Sequence, residues 1–173
     1  MAAAGSGVAG LVVLAGDTLP MQWSMVRVIE YLTKIDPVTA ALLPTVEAAT
    51  EQAELVDGPG LSPATPAADL PFGMPAPYWL DLRAYDPVAA AATRDLPMLF
   101  LQGERDYQVT IDGDLAGWRA GLVGLPDVTF RTYAADDHLY FPGTGPSLPE
   151  DYTRPQHVDP AVSADIAAWL SPR

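Results

Sequence analysis

A chain of 173 residues, 49% hydrophobic and 18% charged, is long enough to bury a substantial core as one soluble globular domain, which excludes disorder as its overall state. Twenty-two acidic residues against nine basic ones leave a formal net charge of -13, so nucleic acid and anionic membrane surfaces are excluded as partners by repulsion. No cysteine is present, which excludes disulfides, thiolate metal sites and cysteine nucleophiles and leaves the compartment open.

The first apolar run, Gly7 to Ala15, has no Lys or Arg before Arg27 and is too short to cross a bilayer. A buried strand over Leu11 to Ala15 (LVVLA) is expected there, with residues 1–20 forming this strand and its flanks. No signal peptide or membrane span is read, and cytoplasmic location is the default expectation. Met21, Met25, Val28, Ile29 and Leu32 then recur as an amphipathic helical stripe, and Asp36-Pro37 opens a second helical region that Pro44 breaks or kinks. Asp57 to Pro77 is rich in Pro, Gly and Ala. About eighty residues separate the first strand from the next, far more than a crossover between adjacent parallel strands needs. Residues 21–77 are therefore read as a helical insertion, a cap or lid over a site, with a decorative insertion or a linker as the alternative.

Residues 78–173 are expected to form a C-terminal α/β core. Asp86-Pro87 opens a short alanine-rich helix to about Thr93. The runs Met98 to Gln102 (MLFLQ) and Val128 to Tyr133 (VTFRTY) read as strands, each entered through a proline that favours extended backbone. The first is continuously apolar, as in a buried parallel strand; the second alternates more and suits an edge. Leu115, Trp118 and Leu122 recur at helical spacing behind Asp112. Val162, Ile166, Trp169 and Leu170 do so behind Asp159-Pro160, an N-cap followed by proline at the first helical position. The expected fold class is α/β, with about three parallel strands flanked by helices and a helical insertion.

Gly103-Glu104-Arg105-Asp106-Tyr107-Gln108-Val109 follows the second strand, so Asp106 is expected in the crevice at the carboxyl ends of the strands. Ala134-Ala135-Asp136-Asp137-His138-Leu139-Tyr140-Phe141 follows the third, which puts His138 in the neighbouring loop, 32 residues after Asp106. A carboxylate that accepts the imidazole Nδ1 proton leaves Nε2 free to take a hydroxyl proton and stabilises the imidazolium that results. Acid and then histidine, one strand apart, is the order expected after a nucleophile elbow. Asp136 and Asp137 are read as serving the loop. His157 lacks ligand spacing with His138, so no metal is expected, nor any cofactor. Tyr78, Trp79, Leu139, Tyr140 and Phe141 can line an acyl pocket, with core packing as the alternative.

Tyr78-Trp79-Leu80-Asp81-Leu82-Arg83-Ala84-Tyr85-Asp86-Pro87, then LFLQGERDYQVT, then the HLYFPGTG and HVDP segments resemble the bacterial α/β-hydrolase esterases of the dienelactone-hydrolase-like group. The resemblance runs from the first strand through the last helix. It implies a partial α/β-hydrolase fold, Asp106 as triad acid, His138 as general base, and the three strands as the sixth to eighth of an eight-stranded sheet.

One part of that pattern is missing. Such enzymes carry Gly-x-Ser-x-Gly on a strained strand-to-helix turn, and none of the six serines here fits it. Ser6 comes nearest, but Ala4 and Val8 stand at the glycine positions and a strand follows. Met1 to Gly10 look like the end of the helix behind an elbow, so the nucleophile is expected upstream of Met1. The expectation is thus the C-terminal part of a serine hydrolase acting on a small or medium carboxylic ester, inactive or nearly so as this chain alone. The alternatives are a non-catalytic module associating with an N-terminal half or a second copy through an exposed sheet edge, and a thioesterase or peptidase on the same scaffold.

Overall fold

The computed structural model describes residues 7–171. In chain order it contains β1 (Leu11–Leu14), α1 (Met21–Ile35), α2 (Pro37–Ala40), α3 (Val46–Asp57), α4 (Ala76–Leu82), α5 (Pro87–Ala92), β2 (Met98–Gly103), α6 (Ala116–Gly121), β3 (Val128–Tyr133) and α7 (Pro160–Leu170). These elements divide into two compact units, Leu19–Asp86 and the segments on either side of it.

The flanking segments build a parallel sheet in the order β1-β2-β3, with Leu11 opposite Met98 and Met98 opposite Val128. The apolar runs are strands, as the sequence predicts, and β2 lies at the centre, which is why all six of its residues are buried. The alternation of a strand sends Met98 and Phe100 to one face, where they pack with Ala91, Leu115, Trp118 and Leu122. Leu99 and Leu101 point to the other and meet Tyr133, Tyr140 and Val162. Helices therefore cover both faces of the sheet, α5 and α6 on one and α7 on the other. Both α7 signals hold: Asp159 accepts the Ala161 N–H at 2.8 Å, and Pro160 occupies the first turn.

The start of α6 differs from its prediction. Thr110, not Asp112, provides the cap by accepting the Gly113 N–H at 3.1 Å, and a π turn over Ile111–Leu115 precedes the helix. Its cause is Asp114, fully buried, whose carboxylate accepts from Thr110 N at 2.7 Å and from Thr18 N at 3.0 Å. That carboxylate joins the exit of β1 to the exit of β2. A further difference lies at the N-terminus, where Gly7 to Gly10 form a turn and irregular chain. The expected helix end is therefore not found at Gly7 to Gly10; its earlier part, with Ser6, lies outside the described residues.

Within Leu19–Asp86, α1 turns Met25, Val26 and Ile29 onto Ala49 and Ala53 of α3, whose small side chains allow close approach. Asp57, at the end of α3, accepts from Gln22 Nε2 and Trp23 Nε1 of α1, each at 2.7 Å. Pro44 falls in the break between α2 and α3, as predicted. The compact unit runs past Pro77 to Asp86 because Trp79 of α4, fully buried, completes a core with Val56, Leu61, Leu70 and Ala76. No described helix is long and apolar enough to cross a membrane.

Candidate active site

The exits of β2 and β3 are joined before any side chain meets. Glu104 N–H donates to Tyr133 O and Arg105 N–H to Asp136 O, both at 2.9 Å. A Cβ on Gly103 would lie 2.5 Å from the carbonyl oxygens of both Asp136 and Asp137, so glycine is what lets the histidine loop cross the end of β2. Arg105 adds a side-chain brace: Nε donates to Gly145 O at 2.9 Å, Nη1 to Ala135 O at 3.0 Å, and Nη2 lies 3.7 Å from Asp151 Oδ2.

Asp106 follows directly, and its carboxylate has no exposed surface. Oδ1 accepts the backbone N–H groups of Gln108 at 2.8 Å and Val109 at 3.0 Å. Oδ2 accepts from Gln102 Nε2 at 3.0 Å and faces His138 Nδ1 at 2.8 Å. The two residues predicted to pair are therefore in contact. A carboxylate can only accept, so the imidazole proton sits on Nδ1 and Nε2 is left as the basic nitrogen. The His138 side chain is 30% exposed, which leaves the ring accessible beside a partner that is not. The hydrogen bond to Asp106 raises the His138 pKa above its usual 6.5 against the opposing effect of burial; the charges of Asp106, Asp137 and Asp17 add to the rise.

The histidine loop is held by its own polar groups. Asp137 Oδ1 accepts from Leu139 N at 2.9 Å and Phe141 N at 3.0 Å. Tyr140 has φ 59°, and its hydroxyl donates to Leu101 O at 2.6 Å while accepting the Ala15 N–H at 2.9 Å. Ala15 also has positive φ, 46°, which ends β1 one residue before its predicted boundary. Asp136 differs from its neighbours: it is fully buried and neither carboxylate oxygen has a hydrogen-bond donor. Burial, then the charges of Asp159 and Asp137, push its pKa up to about 6 against the pull of Arg105.

Of the pocket candidates, Leu139 is exposed, Phe141 half-buried, and Tyr140 buried with its hydroxyl committed to backbone. Tyr78 and Trp79 belong to the helical unit, where Trp79 is core and the Tyr78 hydroxyl meets Met21 Sδ at 3.3 Å. His157 is exposed ahead of α7, and the described residues contain no group of three or more His, Cys, Asp or Glu able to hold a metal. None of the described serines stands on a strand-to-helix elbow: Ser24 and Ser163 lie inside helices, Ser62 and Ser147 in loops, and Ser171 follows α7. Sequence reasoning missed Gln102 and Arg105. The signal for Gln102 was available, since one amide ending an otherwise apolar central strand must find buried partners.

The sequence is 38% identical over 105 residues, 61% of the chain, to the esterase EstD of Thermotoga maritima; the match covers 25% of that protein. The chain thus spans about a quarter of the length of the curated relative it matches. No protein-family model and no solved structure matches it.

Proposed function

We propose that this chain supplies the acid and the general base of a serine-type carboxylic-ester hydrolase, on part of an α/β-hydrolase fold. The observation that carries the reading is the 2.8 Å contact of His138 Nδ1 with a buried, donor-saturated Asp106 at the carboxyl end of a parallel sheet. The similarity to an esterase supports an esterase-type hydrolase.

In this reading a serine hydroxyl passes its proton to His138 Nε2 as its oxygen attacks the ester carbonyl. The leaving alcohol takes that proton as the C–O bond breaks, and water repeats the sequence on the acyl-serine to release the acid. Asp106 keeps the ring in one tautomer and stabilises the transient imidazolium. The substrate is a small or medium ester. No Gly-x-Ser-x-Gly occurs in these 173 residues, so the nucleophile and its oxyanion donors come from polypeptide outside them. The helical unit acts as a cap, a reading supported by its insertion between β1 and β2 and by its separate core.

One feature favours a second reading, an association module. Among the described residues β1 pairs on one side only, Leu11 to Val13 are half-buried, and Leu14 is 47% exposed. An apolar parallel strand with a free edge is a template for another strand. The two readings separate in one experiment with p-nitrophenyl butyrate. The chain alone is expected to hydrolyse it no faster than its His138→Ala variant. Mixed with the part of EstD outside the matched stretch, it should acquire hydrolysis that His138→Ala abolishes. Complex formation without hydrolysis supports the association module; steady turnover by the chain alone, lost in His138→Ala, overturns the claim that a nucleophile must be supplied.

A further inference from the structure

Gln102 closes β2 with a side-chain amide that is almost wholly buried, and ester hydrolysis as set out above makes no use of it. Its Nε2 lies 2.8 Å from Val109 O, 3.0 Å from Asp106 Oδ2 and 3.1 Å from Gly103 O. All three are acceptors. An amide oxygen turned toward them would meet three lone-pair groups and make no bond, so the orientation of the amide is dictated by its surroundings. Its two hydrogens then serve three acceptors, one of which is the oxygen that also receives His138 Nδ1–H.

We propose that Gln102 is a positioning residue for the acid–histidine pair, fixing the rotation of the Asp106 carboxylate and moderating the basicity of His138 by sharing its acceptor oxygen. The inference rests on the reading of Asp106 and His138 as acid and general base. Two backbone N–H groups hold Oδ1, but the terminal torsion of aspartate is broad, and a second anchor on Oδ2 is what narrows it. The same bond draws electron density from Oδ2. An oxygen already engaged by one donor accepts the next less strongly, so it stabilises imidazolium less than a free carboxylate would. The charged groups facing His138 all act the other way: Asp106 from the loop after β2, Asp137 from its own loop and Asp17 from the loop after β1 each favour the protonated ring. Gln102 is the neutral counterweight, and it keeps a larger fraction of His138 in the form able to accept a proton.

NMR on the full 173-residue chain tests this without an activity assay. Its two histidines, five glutamines and absence of asparagine keep the relevant spectra sparse. In the unmodified protein the side-chain amide signals of Gln102 should shift with the midpoint of His138; an amide that stays still through that titration overturns the proposal. Gln102→Met removes the donor at similar length. The His138 midpoint should rise by about half a unit to one unit, roughly three- to tenfold tighter proton binding. A folded variant whose midpoint stays or falls overturns the proposal, because a purely structural amide would lower stability and leave the midpoint alone. Should that variant fail to fold, the unmodified titration still decides. Asp106→Asn separates the two levels: it should lower the His138 midpoint, and a midpoint that ignores it removes the acid–histidine reading itself, whatever Gln102 does.

Discussion

Asp106, in the loop after β2, and Asp136, in the loop after β3, are both buried at the same rim of the sheet, yet their surroundings are opposites. Asp106 meets two backbone N–H groups, an amide and an imidazole. Asp136 meets no donor, and its pKa is pushed up to about 6. Burial alone therefore does not decide how a carboxylate is held. The donors around it do, since they set whether the negative charge is stabilised or merely enclosed.

The strongest way to break the contrast is Asp106→Ala, which takes the carboxylate away from all four donors at once and strands the backbone N–H groups of Gln108 and Val109. It should cost about 3 kcal/mol of unfolding free energy in urea at pH 7. A loss near zero would mean that those hydrogen bonds do not form in solution. Gly103→Ala tests the junction between the two loops: its methyl group would press on two backbone carbonyls that have little room to give, for an expected loss of about 2 kcal/mol. A normal melting curve would show that the loops do not cross so closely.

Asp136→Asn should have the opposite sign. A folded-state pKa raised above the unfolded value of 3.8 gives stability that is complete below 3.8 and lost as pH rises through about 6. The amide should accordingly be more stable than the wild type at pH 8, by about 1 to 2 kcal/mol, and close to it near pH 4. Destabilisation at pH 8 would mean that Asp136 has a donor after all. The smallest effect is expected from Tyr140→Phe, about 1 kcal/mol, because the Ala15 N–H retains Leu101 O at 3.0 Å when the hydroxyl goes. Parallel unfolding curves of the two proteins would measure it.

The same contrast explains what could be read in advance. The strands were legible because the central one, covered on both faces, demands continuous hydrophobicity while its edge neighbour β3 keeps a more alternating pattern, and the loops after β2 and β3 then pointed to Asp106 and His138. The number of donors around each carboxylate was not legible, since the backbone N–H groups of Gln108 and Val109 depend on how the loop folds rather than on which residues it contains. Asp136 and Asp137 looked alike in sequence; one braces Leu139 and Phe141, the other braces nothing through its side chain. The π turn escaped for a similar reason, because Asp114 draws Thr18 and Thr110 together from two separate β-strand exits. For Trp79 the sequence leaves pocket wall and core packing both open, and the packing of Val56, Leu61 and Leu70 around it decides for the core.

The tautomer of His138 tests the catalytic reading most directly, through two-bond nitrogen–proton correlation spectra recorded above its midpoint. The expected pattern is a protonated Nδ1 and a bare Nε2, with a midpoint above that of an ordinary exposed imidazole. A proton found on Nε2 would contradict it, for the ring would then present no base to a serine hydroxyl and Asp106 would hold nothing in place.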